Sequence, residues 1–146
     1  MRPPAAPAAA CLVLLAVTGA AAQSPALTAR DAWIRATPGS DVAAAYLTLH
    51  NSAAQPVEVV DVRTPLAAQA MIHETTVNNG QSTMRPHQPL RIAGGATVRL
   101  VPGGLHIMLH GLTRPLNPGD EVPLVLTLAG GATVAVTAHV RALGDG

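Results

Sequence analysis

The chain has 146 residues, with nine Lys and Arg against eight Asp and Glu, no Phe, one Trp, one Tyr and one Cys. That length suits one domain with a single core, and the near-neutral balance supplies no field to hold nucleic acid or anionic lipid. Two aromatics, Trp33 and Tyr46, cannot build a base-stacking platform, so the core must come from Val, Leu, Ile and Ala.

Residues 1–22 read as a secretory signal. Arg2 gives a positive start, an apolar run covers 8–18, and Ala20-Ala21-Ala22 offers small residues for cleavage. The run is too short to span a membrane, and no stable membrane insertion is expected. Cleavage would leave residues 23–146 as the folded domain and would remove Cys11. Cys11 lies too near the start to follow an apolar region, which argues against a lipid-attachment site. Without it the domain has neither a disulfide nor a thiolate ligand. A blue-copper electron carrier, which needs a Cys ligand, is thereby disfavoured.

Beyond the signal, short β-rich runs alternate with turn residues. The pattern predicts strands over 27–35, 43–51, 57–63, 68–76, 91–101, 105–112, 121–128 and 133–141. Turn signals are Thr37-Pro38-Gly39-Ser40, Asn78-Asn79-Gly80, Ala93-Gly94-Gly95, Pro102-Gly103-Gly104, Asn117-Pro118-Gly119-Asp120 and Gly130-Gly131. No stretch keeps a helical period. Eight such strands predict an all-β, single-domain sandwich of Greek-key type.

The chemistry concentrates in four residues, His73, Met84, His106 and Met108, spaced H-x10-M-x21-H-x-M. Only Met71, Met84 and Met108 follow the initiator, and all lie in or beside this pattern. Alternation along 105–112 puts Leu105, Ile107 and Leu109 on one face and His106, Met108 and His110 on the other. The preceding strand repeats this, with Ala70 and Ile72 opposite Met71 and His73. Core packing would place Met on the aliphatic face, and here it lies on the other. Thioether with imidazole, and no carboxylate, is a ligand set for Cu(I). Met71 is expected as an apolar shield or an alternative ligand. His110 is a further imidazole that would favour Cu(II), or a solvated strand end; His87 is expected on the same rim. No nucleophile motif or phosphate loop occurs, and an enzyme is not expected.

The spacing and its flanks resemble the periplasmic copper chaperones of the PCuAC family. Asp31-Ala32-Trp33-Ile34-Arg35-Ala36-Thr37-Pro38, Ala44-Ala45-Tyr46-Leu47-Thr48-Leu49-His50-Asn51 and Gly111-Leu112-Thr113-Arg114-Pro115-Leu116 carry the resemblance along the rest of the domain. It implies a cupredoxin-like sandwich in the periplasm that holds one Cu(I) on the four residues and delivers it by ligand exchange. It also implies a copper-accepting partner, either a cytochrome c oxidase subunit or another copper chaperone. His110 departs from the family, which more often has Met there. Two alternatives stay open on the residues alone: a copper storage or tolerance protein, and a β-sandwich interaction module without metal.

Overall fold

The computed structural model describes residues 2–5 and 26–144. The expected signal and Cys11 fall almost wholly outside the described residues. Ten strands and no helix make up the described domain: β1 (Leu27–Ala36), β2 (Val42–Asn51), β3 (Val57–Arg63), β4 (Ala67–Asn78), β5 (Gln81–Pro86), β6 (Leu90–Ile92), β7 (Thr97–Arg99), β8 (Leu105–Leu112), β9 (Glu121–Leu128) and β10 (Thr133–Arg141). No helix among the described residues is long and apolar enough to cross a membrane.

All ten strands belong to one hydrogen-bonded sheet, ordered β5-β4-β8-β2-β1-β10-β9-β3-β6, with β7 beside β2. A single rung, Val62 to Ala70, joins β3 back to β4 and closes the sheet into a barrel-like sandwich. Strict alternation fills its interior: Val122, Leu124, Leu126 and Leu128 of β9 are buried, as are Ile72, Ile107 and Leu109. Each contributes a branched aliphatic chain, and burying one stabilises the fold by roughly 1.5–3 kcal/mol before ordering costs.

Three features depart from the expected strands. First, β5 is a strand where the sequence pattern shows only a turn and a returning segment, because its residues are exposed and polar and lack apolar alternation. The Asn79-Gly80 pair explains it: φ of 51° and 77° makes the tight hairpin turn that matches strand twist. Second, the stretch expected as one strand over 91–101 is two, β6 and β7. A turn in which the Ala96 amide donates to the Ala93 carbonyl at 3.0 Å separates them. Buried Asn51 caps that break, its side-chain amide donating to the carbonyls of Gln55 at 2.8 Å and Ile92 at 3.1 Å. Third, β1 changes phase. Leu27 is buried, yet so are Ala32, Ile34 and Ala36. A bulge between Arg30 and Trp33, with Asp31 at φ 55°, inserts the extra residue. Without it the alternation would turn Trp33 inward and Ile34 outward.

Candidate metal centre

The outer face of β4 and β8 carries the site. These strands are antiparallel neighbours, with His73 opposite His106, Met71 opposite Met108 and Gln69 opposite His110. Directly opposed residues share a face, so two imidazoles occupy one rung and two thioethers the next. Beneath them, Ile72 opposite Ile107 forms a fully buried rung that fixes the register. On the far side of β8, Ala44 of β2 faces Met108 and leaves it room. At Gly111, a Cβ would collide with that of Ala68, and φ is 67°. Glycine there lets β8 press against β4 next to His110.

His106 is 3% exposed. Its Nδ1–H donates to the Gly104 carbonyl at 3.0 Å, so Nε2 carries the lone pair. That atom is buried and has no hydrogen-bond partner, and the same holds for Nδ1 of His73. A buried polar atom left unpaired costs about 1–3 kcal/mol, and two such atoms on adjacent side chains need a reason. The ring centroids of His73 and His106 are 6.0 Å apart, set edge to face. His110, which is exposed, lies 6.3 Å from His73 by the same measure.

Met84 faces Thr75 across the β4–β5 hairpin, while His73 faces Pro86. It therefore shares the outer face one rung from His73, with its side chain 55% exposed. Met71 and Met108 are half-buried. His87 is turned elsewhere: its Nδ1 lies 2.9 Å from the Glu74 carboxylate, and Glu74 alternates with His73 onto the opposite side of β4. The structure thus draws His73, His106, Met71, Met108 and His110 together, sets Met84 at the edge, and leaves His87 outside the group. Among the described residues no three His, Cys, Asp or Glu side chains are arranged to hold a metal. The soft donors that share the face with the two imidazoles are the thioethers of Met71, Met108 and Met84.

Burial pushes His73 below the usual histidine value of 6.5, and the His106 and His110 imidazoles beside it push in the same direction. The folded chain therefore disfavours His73 protonation, and His73 is neutral and able to ligate at pH 7. Because the unfolded chain binds this proton more readily, stability falls as pH drops through 6.5 and levels off below the depressed value. An NMR titration of the metal-free protein should give His73 a midpoint below 6.5 that rises in His110→Ala. A midpoint at or above 6.5 would contradict this account.

The aromatics beside the site are an addition to the residues that the motif marks. Tyr46, 6% exposed, puts its ring 6.5 Å from that of His106, and Trp33 lies 4.5 Å beyond Tyr46. Arg35 covers both rings, and Arg141 sits 4.6 Å over Trp33. Burial raises the Tyr46 phenol above its usual 10, partly offset by Arg35. This packing backs His106 with a rigid wall. The signal for it lies in the alternation of β2, where Tyr46 shares a face with Ala44.

Comparison with known proteins bears on the family and the fold. The "Putative lipoprotein LpqE-like" family model matches residues 27–140. A relative from Leifsonia xyli subsp. xyli (strain CTCB07), "Putative lipoprotein Lxx21020", is 33% identical over 141 residues, 88% of this chain and 84% of its own. Among solved structures, apo-DR1885 from Deinococcus radiodurans is 35% identical, covers 100% of this chain and 95% of its own, and superposes with a TM-score of 0.64. Its CuI form is 34% identical, covers 86% and 83%, and scores 0.63. The copper-bound PCuAC domain from PmoF2, 20% identical over 80% of this chain and 93% of its own, shares the fold at a TM-score of 0.68. With the family model spanning nearly all of the described barrel and a one-third identical relative aligned over most of both chains, the protein belongs to the LpqE-like family.

Proposed function

We propose that the protein is a PCuAC-type copper chaperone that carries one Cu(I) on His73, His106, Met84 and Met108 and passes it on by ligand exchange. The observation that carries this reading is the pair of buried, unpartnered imidazole nitrogens beside a rung of thioethers. Neutral imidazole and thioether suit Cu(I), and neither adds charge to the site. The CuI form of DR1885 and the copper-bound PmoF2 domain support the choice of metal. In this reading the sheet is a cupredoxin-like Greek key.

His106 is the fixed ligand, held by Gly104 and walled by Tyr46. Met84 is the mobile one, exposed on an edge strand where an acceptor's ligands can replace it. Exchange of this kind moves no electrons: one metal–ligand bond forms as another breaks, and relative affinity sets the direction. The acceptor is a copper-accepting protein, for which a cytochrome c oxidase subunit or a second chaperone is the expected class. The lipoprotein descriptions of the family and its Leifsonia member support an extracytoplasmic site of action. Residues 1–22 would serve as the export signal.

An anaerobic Cu(I) titration against a coloured competing chelator tests the proposal. One tightly held equivalent is expected, weakened by about a hundredfold or more in the Met84→Ala, Met108→Ala double variant. Unchanged affinity in that variant, with the fold verified by circular dichroism, would remove the thioethers from the site and end this reading.

A further inference from the structure

His73 is nearly equidistant from two imidazoles, 6.0 Å from the buried His106 and 6.3 Å from the exposed His110 by ring centroids. His110 is four residues beyond His106 on β8, and four residues of strand advance roughly 13 Å. Rings from opposite ends of that span can approach to 6.3 Å only by leaning toward each other. Between them lies the Met71–Met108 rung. A merely solvated His110 would have no cause to lean back over two thioethers toward another imidazole.

Along β8, exposure rises from buried His106 through half-buried Met108 to exposed His110. Met71 and Gln69 border one surface concavity, and Met108 borders a second together with Arg35, Ser40 and Val42. His106 is sealed beneath its neighbours at 3% exposure. The unpartnered nitrogen of His73 is thus flanked by two candidate co-ligands, one deep and one open.

We infer that His110 forms a second, outer copper station with His73 and the Met71–Met108 thioethers, a route for metal to and from the inner station at His106 that is separate from ligand exchange at Met84. This rests on the copper-carrier reading above. The transfer is a ligand substitution in which His73 and Met108 stay bound, the bonds to His106 Nε2 and Met84 break, and bonds to a ring nitrogen of His110 and to Met71 form. Copper keeps its charge. Each imidazole binds or releases the metal through a ring-nitrogen lone pair.

Stopped-flow transfer of Cu(I) from the loaded protein to an excess of coloured chelator, without oxygen, reads the station directly. His110→Ala should slow release by about tenfold, while the equilibrium Cu(I) affinity changes by less than about threefold, because the inner ligands are intact. His110→Met, which restores a soft ligand at the same position, should recover the wild-type rate with Cu(I). Release from His110→Ala at the wild-type rate would overturn the outer station. So would faster release matched by an equal loss of affinity, which would make His110 part of a single shell. Failure of the unmodified protein to bind Cu(I) would instead bring down the carrier reading itself.

Discussion

His106→Leu is expected to cost the protein its tight Cu(I) binding, by about a hundredfold or more, equal to some 2.7 kcal/mol, while making the metal-free fold slightly more stable. The two effects have one origin. In the folded chain His106 Nδ1 is committed to Gly104, and Nε2 is buried without a partner. That unpaired acceptor burdens the metal-free protein by about 1–3 kcal/mol. Leucine keeps most of the ring's volume against Tyr46 and removes the acceptor, while the Gly104 carbonyl keeps the Thr75 amide; less the lost Nδ1–H bond, a net gain of up to about 1 kcal/mol in urea unfolding is expected. A chelator competition run beside the unfolding curve checks both. Cu(I) affinity within about threefold of wild type would show that the metal does not use this nitrogen.

The neighbouring position should behave in the opposite way. Ile107 is fully buried and faces Ile72 across the β4–β8 rung. Truncating it to alanine leaves a cavity under both imidazoles, and about 2–5 kcal/mol of stability should be lost. Met108→Ala, one residue along and half-buried on the outer face, should cost only about 1 kcal/mol. Urea midpoints of the two variants compare them directly, and a larger loss from Met108→Ala would contradict the assignment of faces. Adjacent residues would then divide the labour: one holds the barrel and the other serves the metal.

This division is legible in the sequence, because alternation alone separates Leu105, Ile107 and Leu109 from His106, Met108 and His110. The strands with buried aliphatic faces are equally readable. Their periodicity is imposed by the core, and β3, β8, β9 and β10 have the expected bounds. What escapes such a reading depends on backbone detail that composition does not encode. The bulge at Asp31 flips the phase of β1, and without it Trp33 could not stack on Tyr46 outside the barrel. β5 has no core face at all, so no periodicity marks it. Within the run over 91–101 the Ala93-Gly94-Gly95 turn signal is readable, but the side chain from β2 that satisfies the Ile92 carbonyl at the break is not. His87 is close in sequence to the site residues, but Glu74 draws it to the other side of the strand.

The β4–β5 hairpin behaves mechanically as a cantilever. β4 is paired to β8 from Ala67 through Glu74, the Thr75 amide donates to the Gly104 carbonyl at 3.1 Å, and beyond that point only β5 accompanies it. In a beam clamped at one end, excursions grow with distance from the clamp. Met84 faces Thr75, right at the clamp, while the Asn79-Gly80 tip lies several rungs farther out. Its backbone is therefore steady although its side chain stands in solvent. The protein can offer a sulfur to an incoming surface without surrendering control of where that sulfur is anchored.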